Sequence, residues 1–210
     1  MDHRAALYWA ISLDSAAYVS VLIFIMWSSG DPWSEFGIRR PFLLRDIPLG
    51  IVLAGALSMS TVVSMAWLSH TPLSEFRPAA YSTWQYVFRG QASIAVAYVL
   101  AGTFGNVMTE LLYRGLLIPR FSELTGRAWI GVLISSLLAV LVSPLIFSML
   151  YQLTQGTSIP HVYYLEEAVW LGLRVGYALV LGFVFVRTRS IWPGIFAGVA
   201  STILFTVGFW

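Results

Sequence analysis

Glu110 and Arg114 stand four residues apart in the run Asn106-Val107-Met108-Thr109-Glu110-Leu111-Leu112-Tyr113-Arg114-Gly115, which closes a long apolar stretch. A carboxylate in such a place is a candidate general base, and a guanidinium holds carboxylates through paired N–H donors. On a helix this spacing stacks the acid against the base, with Asn106 on the same stripe one turn earlier. Ionisable groups inside a membrane span are costly, so they face the protein interior and mark either a site or a structural pair. Two more interrupt apolar runs, Asp14 and Arg174. Their depths differ by about 6 Å at helical rise, which predicts an inter-helix ion pair. For all four residues the bland alternative is structural pairing alone. His161 with Glu166 and Glu167 has the residue types of a metal site. A glutamate pair reaching for water beside a turn is the commoner arrangement, however, and neither a metal nor a cofactor is expected. His3 and His70 fall in exposed segments and imply no chemistry.

The elements that position these residues are membrane spans. The chain has 210 residues, 58% hydrophobic and 10% charged, against about 25% charged in an ordinary soluble domain. Six apolar segments, approximately 7–27, 48–68, 91–118, 128–150, 163–187 and 190–210, are long enough to cross about 30 Å of hydrocarbon. The sequence therefore predicts an all-α, polytopic helical membrane protein, about six transmembrane helices in one bundle and one domain over 1–210. Asp14 interrupts the first segment and no small-residue cleavage site follows it, so it reads as a retained span and not a signal peptide. Trp9, Trp27, Trp67, Trp129, Trp192 and Trp210 lie near span ends, as an interfacial belt requires.

Arginine placement sets the expected orientation. Arg39, Arg40, Arg45, Arg120, Arg127, Arg187 and Arg189 follow the first, third and fifth spans, while Arg4, Arg77 and Arg89 lie on the other side. The richer side is expected to be cytoplasmic, with both termini outside and the protein in the plasma (inner) membrane. The 28–47 loop reads as a surface connector, 69–90 as a loop with a short interfacial helix, and 151–162 as an outside turn. A net charge of +2 spread over scattered arginines argues against a nucleic-acid partner. The absence of cysteine excludes disulfides, thiolate nucleophiles and Cys-ligated metals. No lysine is present, so a Ser–Lys arrangement is excluded as well.

Three segments resemble the CPBP (Abi, type II CAAX prenyl endopeptidase) family of intramembrane proteases, over roughly residues 88–204. Thr109-Glu110-Leu111-Leu112-Tyr113-Arg114-Gly115 is similar to the family's Glu-Glu-x-x-x-Arg-Gly motif. Leu133-Ile134-Ser135-Ser136-Leu137-Leu138 is similar to the run leading into its Phe-x-x-x-His motif. Arg187-Thr188-Arg189-Ser190-Ile191-Trp192-Pro193-Gly194-Ile195 is similar to the run preceding its His-x-x-x-Asn or Asp motif. The Phe36–Pro41 stretch is similar to a segment often found upstream. The resemblance implies a shared intramembrane cavity in which the first glutamate and the motif-two histidine activate water.

This chain departs from that pattern at the positions that matter most. Thr109 takes the place of the first glutamate, Ala139 and Ser143 the places of the motif-two Phe and His, and Gly198 and Thr202 those of the motif-three His and Asn. Glu110 and Arg114 survive, at positions that in the family mainly support the site. Thr109 and Ser143 do not act as bases without a suitable partner, and no histidine lies in any span. Counted from the inner span ends, Glu110, Ala139, Ser143, Gly198 and Thr202 all lie about 12–23 Å deep. Pro144 is expected to kink the fourth span. The small residues Gly105, Ser135, Ser136, Gly194, Gly198 and Ser201 have a plainer role open to them, close helix packing. The favoured expectation is a non-catalytic family member that binds a membrane peptide, a prenylated chain or a partner helix. The alternatives are an endopeptidase centred on Glu110 and, more weakly, a small transporter or channel.

Overall fold

The computed structural model describes residues 3–68, 89–155 and 164–204, with side chains described over 6–141 and 171–203 of these, Leu43, Met65 and Leu68 excepted. Helix α1 spans His3–Ser28 and α2 spans Leu43–Leu68. Helix α3, Ala92–Thr109, runs without a break into a π-helical segment, Glu110–Leu117, and then α4, Ile118–Thr125. Helices α5 (Ala128–Gln155), α6 (Tyr164–Thr188) and α7 (Trp192–Leu204) complete the chain. Among the described residues there is no strand, as the all-α expectation requires.

Among the described residues, four helical stretches are long and apolar enough to cross a bilayer: Ala6–Ser28, Leu44–Ser64, Ala92–Thr125 and Leu171–Thr188. The other two expected spans coincide with shorter apolar stretches, Ala128–Leu141 and Trp192–Ile203. Leu13, Trp27, Val52, Met59 and Trp67 point outward from α1 and α2 with two thirds or more of their surface exposed. An apolar outer face of this extent suits hydrocarbon, not water. The expected interfacial helix over 69–90 falls mostly outside the described residues, as do His70 and His161. The side chains of Ser143, Pro144, Glu166 and Glu167 are outside them too, although α5 continues through Pro144.

The helices associate in a defined order. α1 packs along α3, α3 against α7, α7 against α2, and α5 against both α4 and α6. Leu22 and Met26 of α1, Leu111 of the π-helical segment, Ile118, Val132, Phe185, Ile191 and Ile195 form one buried cluster. Phe36 belongs to it at 2% exposure, which corrects the reading of 28–47 as a surface connector. Gly37 makes this entry possible. Its φ of +71° suits glycine, and a Cβ there would approach Phe185 to 2.5 Å. At the far side of the cluster α4 stops at Gly126, φ +68°, a left-handed C-cap.

Asp46, in the first turn of α2, ties this end of the bundle together while fully buried. Its Oδ1 accepts from Arg45 Nε at 3.0 Å and Nη2 at 2.9 Å. Its Oδ2 accepts from the Phe42 N–H at 3.0 Å and, more weakly, from the Ser190 hydroxyl at 3.5 Å. An acid at this helix terminus also complements the macrodipole. Asp46→Asn is expected to lower stability by about 1.5–3 kcal/mol, the range for hydrogen bonds to a charged group. Thermal melting in detergent checks this; an unchanged midpoint would show the cluster to be passive.

Candidate functional site

The polar stripe predicted from the sequence exists, but its helix is not a regular α-helix. Glu110–Leu117 is π-helical, and the Ile118 N–H bonds back to the Tyr113 carbonyl. The wide turn ends at Leu117, two residues before Pro119, which lacks the N–H that a regular ladder would use. Ser135 of α5 donates to the same Tyr113 carbonyl at 2.6 Å, fastening the π-helical segment to α5. Segments of this kind concentrate at functional sites because they re-aim side chains.

Within it, Arg114 Nη1 lies 3.1 Å from Glu110 Oε1, and the two side chains are 4% and 6% exposed. The expected local pair is present and buried. Among the described residues Glu110 has no other ion pair or hydrogen bond. Its Oε2 instead lies against the bare backbone of Gly194 on α7, where a Cβ would collide with the carboxylate.

The same relation repeats along the α3–α7 interface. A Cβ on Gly198 would fall inside the amide of Asn106, and a Cβ on Gly102 would come within 2.6 Å of Thr202 Cγ2. Pairs 102/202, 106/198 and 110/194 therefore step along two antiparallel helices four residues at a time. At each step a polar side chain of one helix fills the space left by a glycine of the other. Asn106 Nδ2 donates to Thr202 Oγ1 at a long 3.4 Å, and the Thr202 hydroxyl donates to the Gly198 carbonyl at 3.0 Å. Glycine on the facing helix, α7 at Gly194 and Gly198 and α3 at Gly102, is what lets these side chains into the interface.

The other predicted positions fall as follows. Thr109 donates its hydroxyl to the Gly105 carbonyl at 2.8 Å, a bond within its own helix. Ala139 lies on α5, half-buried. Among the described residues none comes within 4 Å of a Cβ placed on Gly105, unlike Gly194 and Gly198. Asp14 and Arg174 are both exposed, and no ion pair joins them among the described residues. Equal depth did not bring them together, because α1 packs chiefly on α3 and α6 on α5.

One residue that the sequence reading missed joins the site. Tyr177 of α6, half-buried, lies within electrostatic reach of both Glu110 and Arg114. A tyrosine three residues beyond Arg174 in an apolar run is itself a signal, since a buried phenol needs a polar partner.

These features define a helical membrane protein with a carboxylate–guanidinium pair buried at the meeting of α3, α5, α6 and α7. A family model described as type II CAAX prenyl endopeptidase Rce1-like matches residues 91–204, more than half of the chain. The chain belongs to this family. No curated protein and no solved structure matches it.

Proposed function

We propose that this protein is a non-catalytic member of the CAAX endopeptidase-like family that holds a membrane peptide, a prenylated chain or a partner helix. The observation that carries the reading is the filling of the α3–α7 interface. The positions that resemble the family's motif-three histidine and asparagine are Gly198 and Thr202. The space above Gly198 is occupied by the Asn106 amide, and Thr202 is bonded to that amide and to its own helix. Peptide hydrolysis needs a base to take a proton from water and donors to hold the oxyanion. Thr109 spends its hydroxyl on a helix carbonyl, and Glu110 is committed to Arg114 through one oxygen. On this reading the protein sits in the plasma (inner) membrane with the motif end of the bundle toward the cytoplasm, as the arginine distribution supports.

A specific observation favours the second reading, an endopeptidase centred on Glu110. The Oε2 atom accepts no hydrogen bond from any described residue and so is the atom that would meet water. One experiment divides the two. Purified protein is incubated with prenylated and transmembrane peptides beside a Glu110→Gln variant. We expect no cleavage by either, with retention of a photoactivatable prenyl peptide by both. Cleavage that disappears in Glu110→Gln would reverse the assignment.

A further inference from the structure

The loop before α2 is stitched to the turn between α6 and α7. The Ile191 N–H donates to the Gly37 carbonyl at 3.3 Å, and the Trp192 indole N–H donates to the Arg39 carbonyl. This seam gathers Arg39, Arg40 and Arg45 from one segment and Arg187 and Arg189 from the other. Asp46 is the acid buried there, and Arg45 already satisfies its charge. Its remaining acceptor positions are taken by the Phe42 N–H and Ser190.

Arg39 pairs with this acid only at long range. Its Nη2 stands 3.9 Å from Asp46 Oδ1, beyond hydrogen-bond distance. Both Nε and Nη2 are buried and have no hydrogen-bond partner among the described residues. These two nitrogens form one edge of the guanidinium, the fork that grips a pair of oxyanion oxygens side-on. A third of the side chain remains exposed, so the residue stands at the surface of the seam although these two nitrogens are themselves covered. Buried donors of this kind are nearly always satisfied in a functioning protein, so their orphaning points to a ligand.

The surroundings say which ligand. The apolar stretches adjoining the seam begin at Leu44 and end at Thr188, so the seam lies at the rim of the bilayer. Phe42 and Leu44 beside it are 57% and 86% exposed, offering apolar surface next to the cationic fork. Free phosphate would use the fork alone, whereas a phospholipid would use both.

We propose that this seam binds the phosphate group of an anionic phospholipid. The Arg39 fork grips the phosphate oxygens, Arg40 and Arg189 add charge, and the acyl chains lie over Phe42 and Leu44. Nothing in the site depends on whether Glu110 is catalytic.

The test is thermal melting of the delipidated full chain in neutral detergent, titrated with short-chain phosphatidylglycerol, short-chain phosphatidylcholine or inorganic phosphate. Phosphatidylglycerol is expected to raise the midpoint, and phosphatidylcholine at the same concentrations to leave it nearly unchanged. Arg39→Gln should shift the phosphatidylglycerol half-point upward by about tenfold, the loss of one charge-assisted bidentate contact. Should Arg39→Gln not purify, Arg40→Gln, an exposed position, should show a smaller upward shift. Equal protection by the two lipids would overturn the proposal. So would protection by inorganic phosphate at the same concentrations as phosphatidylglycerol, or variants that titrate like the wild type.

Discussion

Replacing Arg114 with methionine is expected to destabilise the purified protein by about 3–5 kcal/mol, the range for removing one partner of a buried ion pair. Both side chains are almost wholly out of solvent, and Glu110 has no second cation within bonding distance among the described residues. Without the guanidinium the carboxylate has no compensation in a low-dielectric interior. The single change therefore leaves an unsatisfied group as well as a lost contact. Removing both partners, in Glu110→Gln with Arg114→Met, should cost much less than the sum of the two single changes. A double-mutant cycle by thermal melting measures this coupling directly. A coupling energy near zero would show that the pair seen at 3.1 Å contributes nothing. It would also weaken the view that Arg114 holds Glu110 away from chemistry.

The cycle bears on function because stability and reactivity make opposite demands on the acid. A proton-abstracting carboxylate must face water, whereas this one faces a guanidinium and the glycine surface of α7. Tyr177 complicates a simple two-body account, since its phenol lies within reach of both charges. A coupling that survives in a Tyr177→Phe background belongs to the pair itself.

Much of this arrangement is legible in the sequence. Apolar runs of span length give the helices, and a Glu and an Arg four residues apart inside one of them give the ion pair. The π-helical turn is not legible, because it changes the hydrogen-bonding register without changing residue types. Pro119 and Gly115 are the only local hints. The α3–α7 register is not legible either. Counting from span ends gives only a range of depths, and contacts are needed to show that Gly194 faces Glu110 and Gly198, one turn further on, faces Asn106. The third span does not end near residue 118, since the helix continues to Thr125, and α7 begins at Trp192 and not at 190. The Asp14–Arg174 expectation failed on azimuth: depth says how far along a helix a residue lies and nothing about which neighbour it faces. The loop at 28–47 misled because its anchors, Phe36 and Gly37, are two residues among polar ones, and their burial depends on contacts distant in sequence.

Placing a histidine at position 198 is expected to unsettle the fold before it adds any chemistry. The first atom of the new side chain would fall inside the Asn106 amide, so the conflict does not depend on the imidazole. Gly198→Ala already tests it. In a helix interior alanine ordinarily gains about 1 kcal/mol over glycine, so a net loss would isolate the packing conflict. Overpacking of this kind costs about 1–3 kcal/mol, and Gly198→His should lie at or beyond the upper end. Asn106→Ala sacrifices only a long hydrogen bond to Thr202 and should be mild alone. Combined with Gly198→Ala it should recover most of the lost stability, a coupling of opposite sign to that of the ion pair. Melting curves of the two single variants and the double variant decide the matter. If Gly198→Ala gains the full helix-propensity difference of about 1 kcal/mol over the parent with Asn106 in place, the two side chains do not compete. A catalytic histidine would then be only one substitution away. If they do compete, position 198 accepts a histidine only after Asn106 is cleared, and the amide then supports the proposed reading of a site that holds its ligand without cutting it.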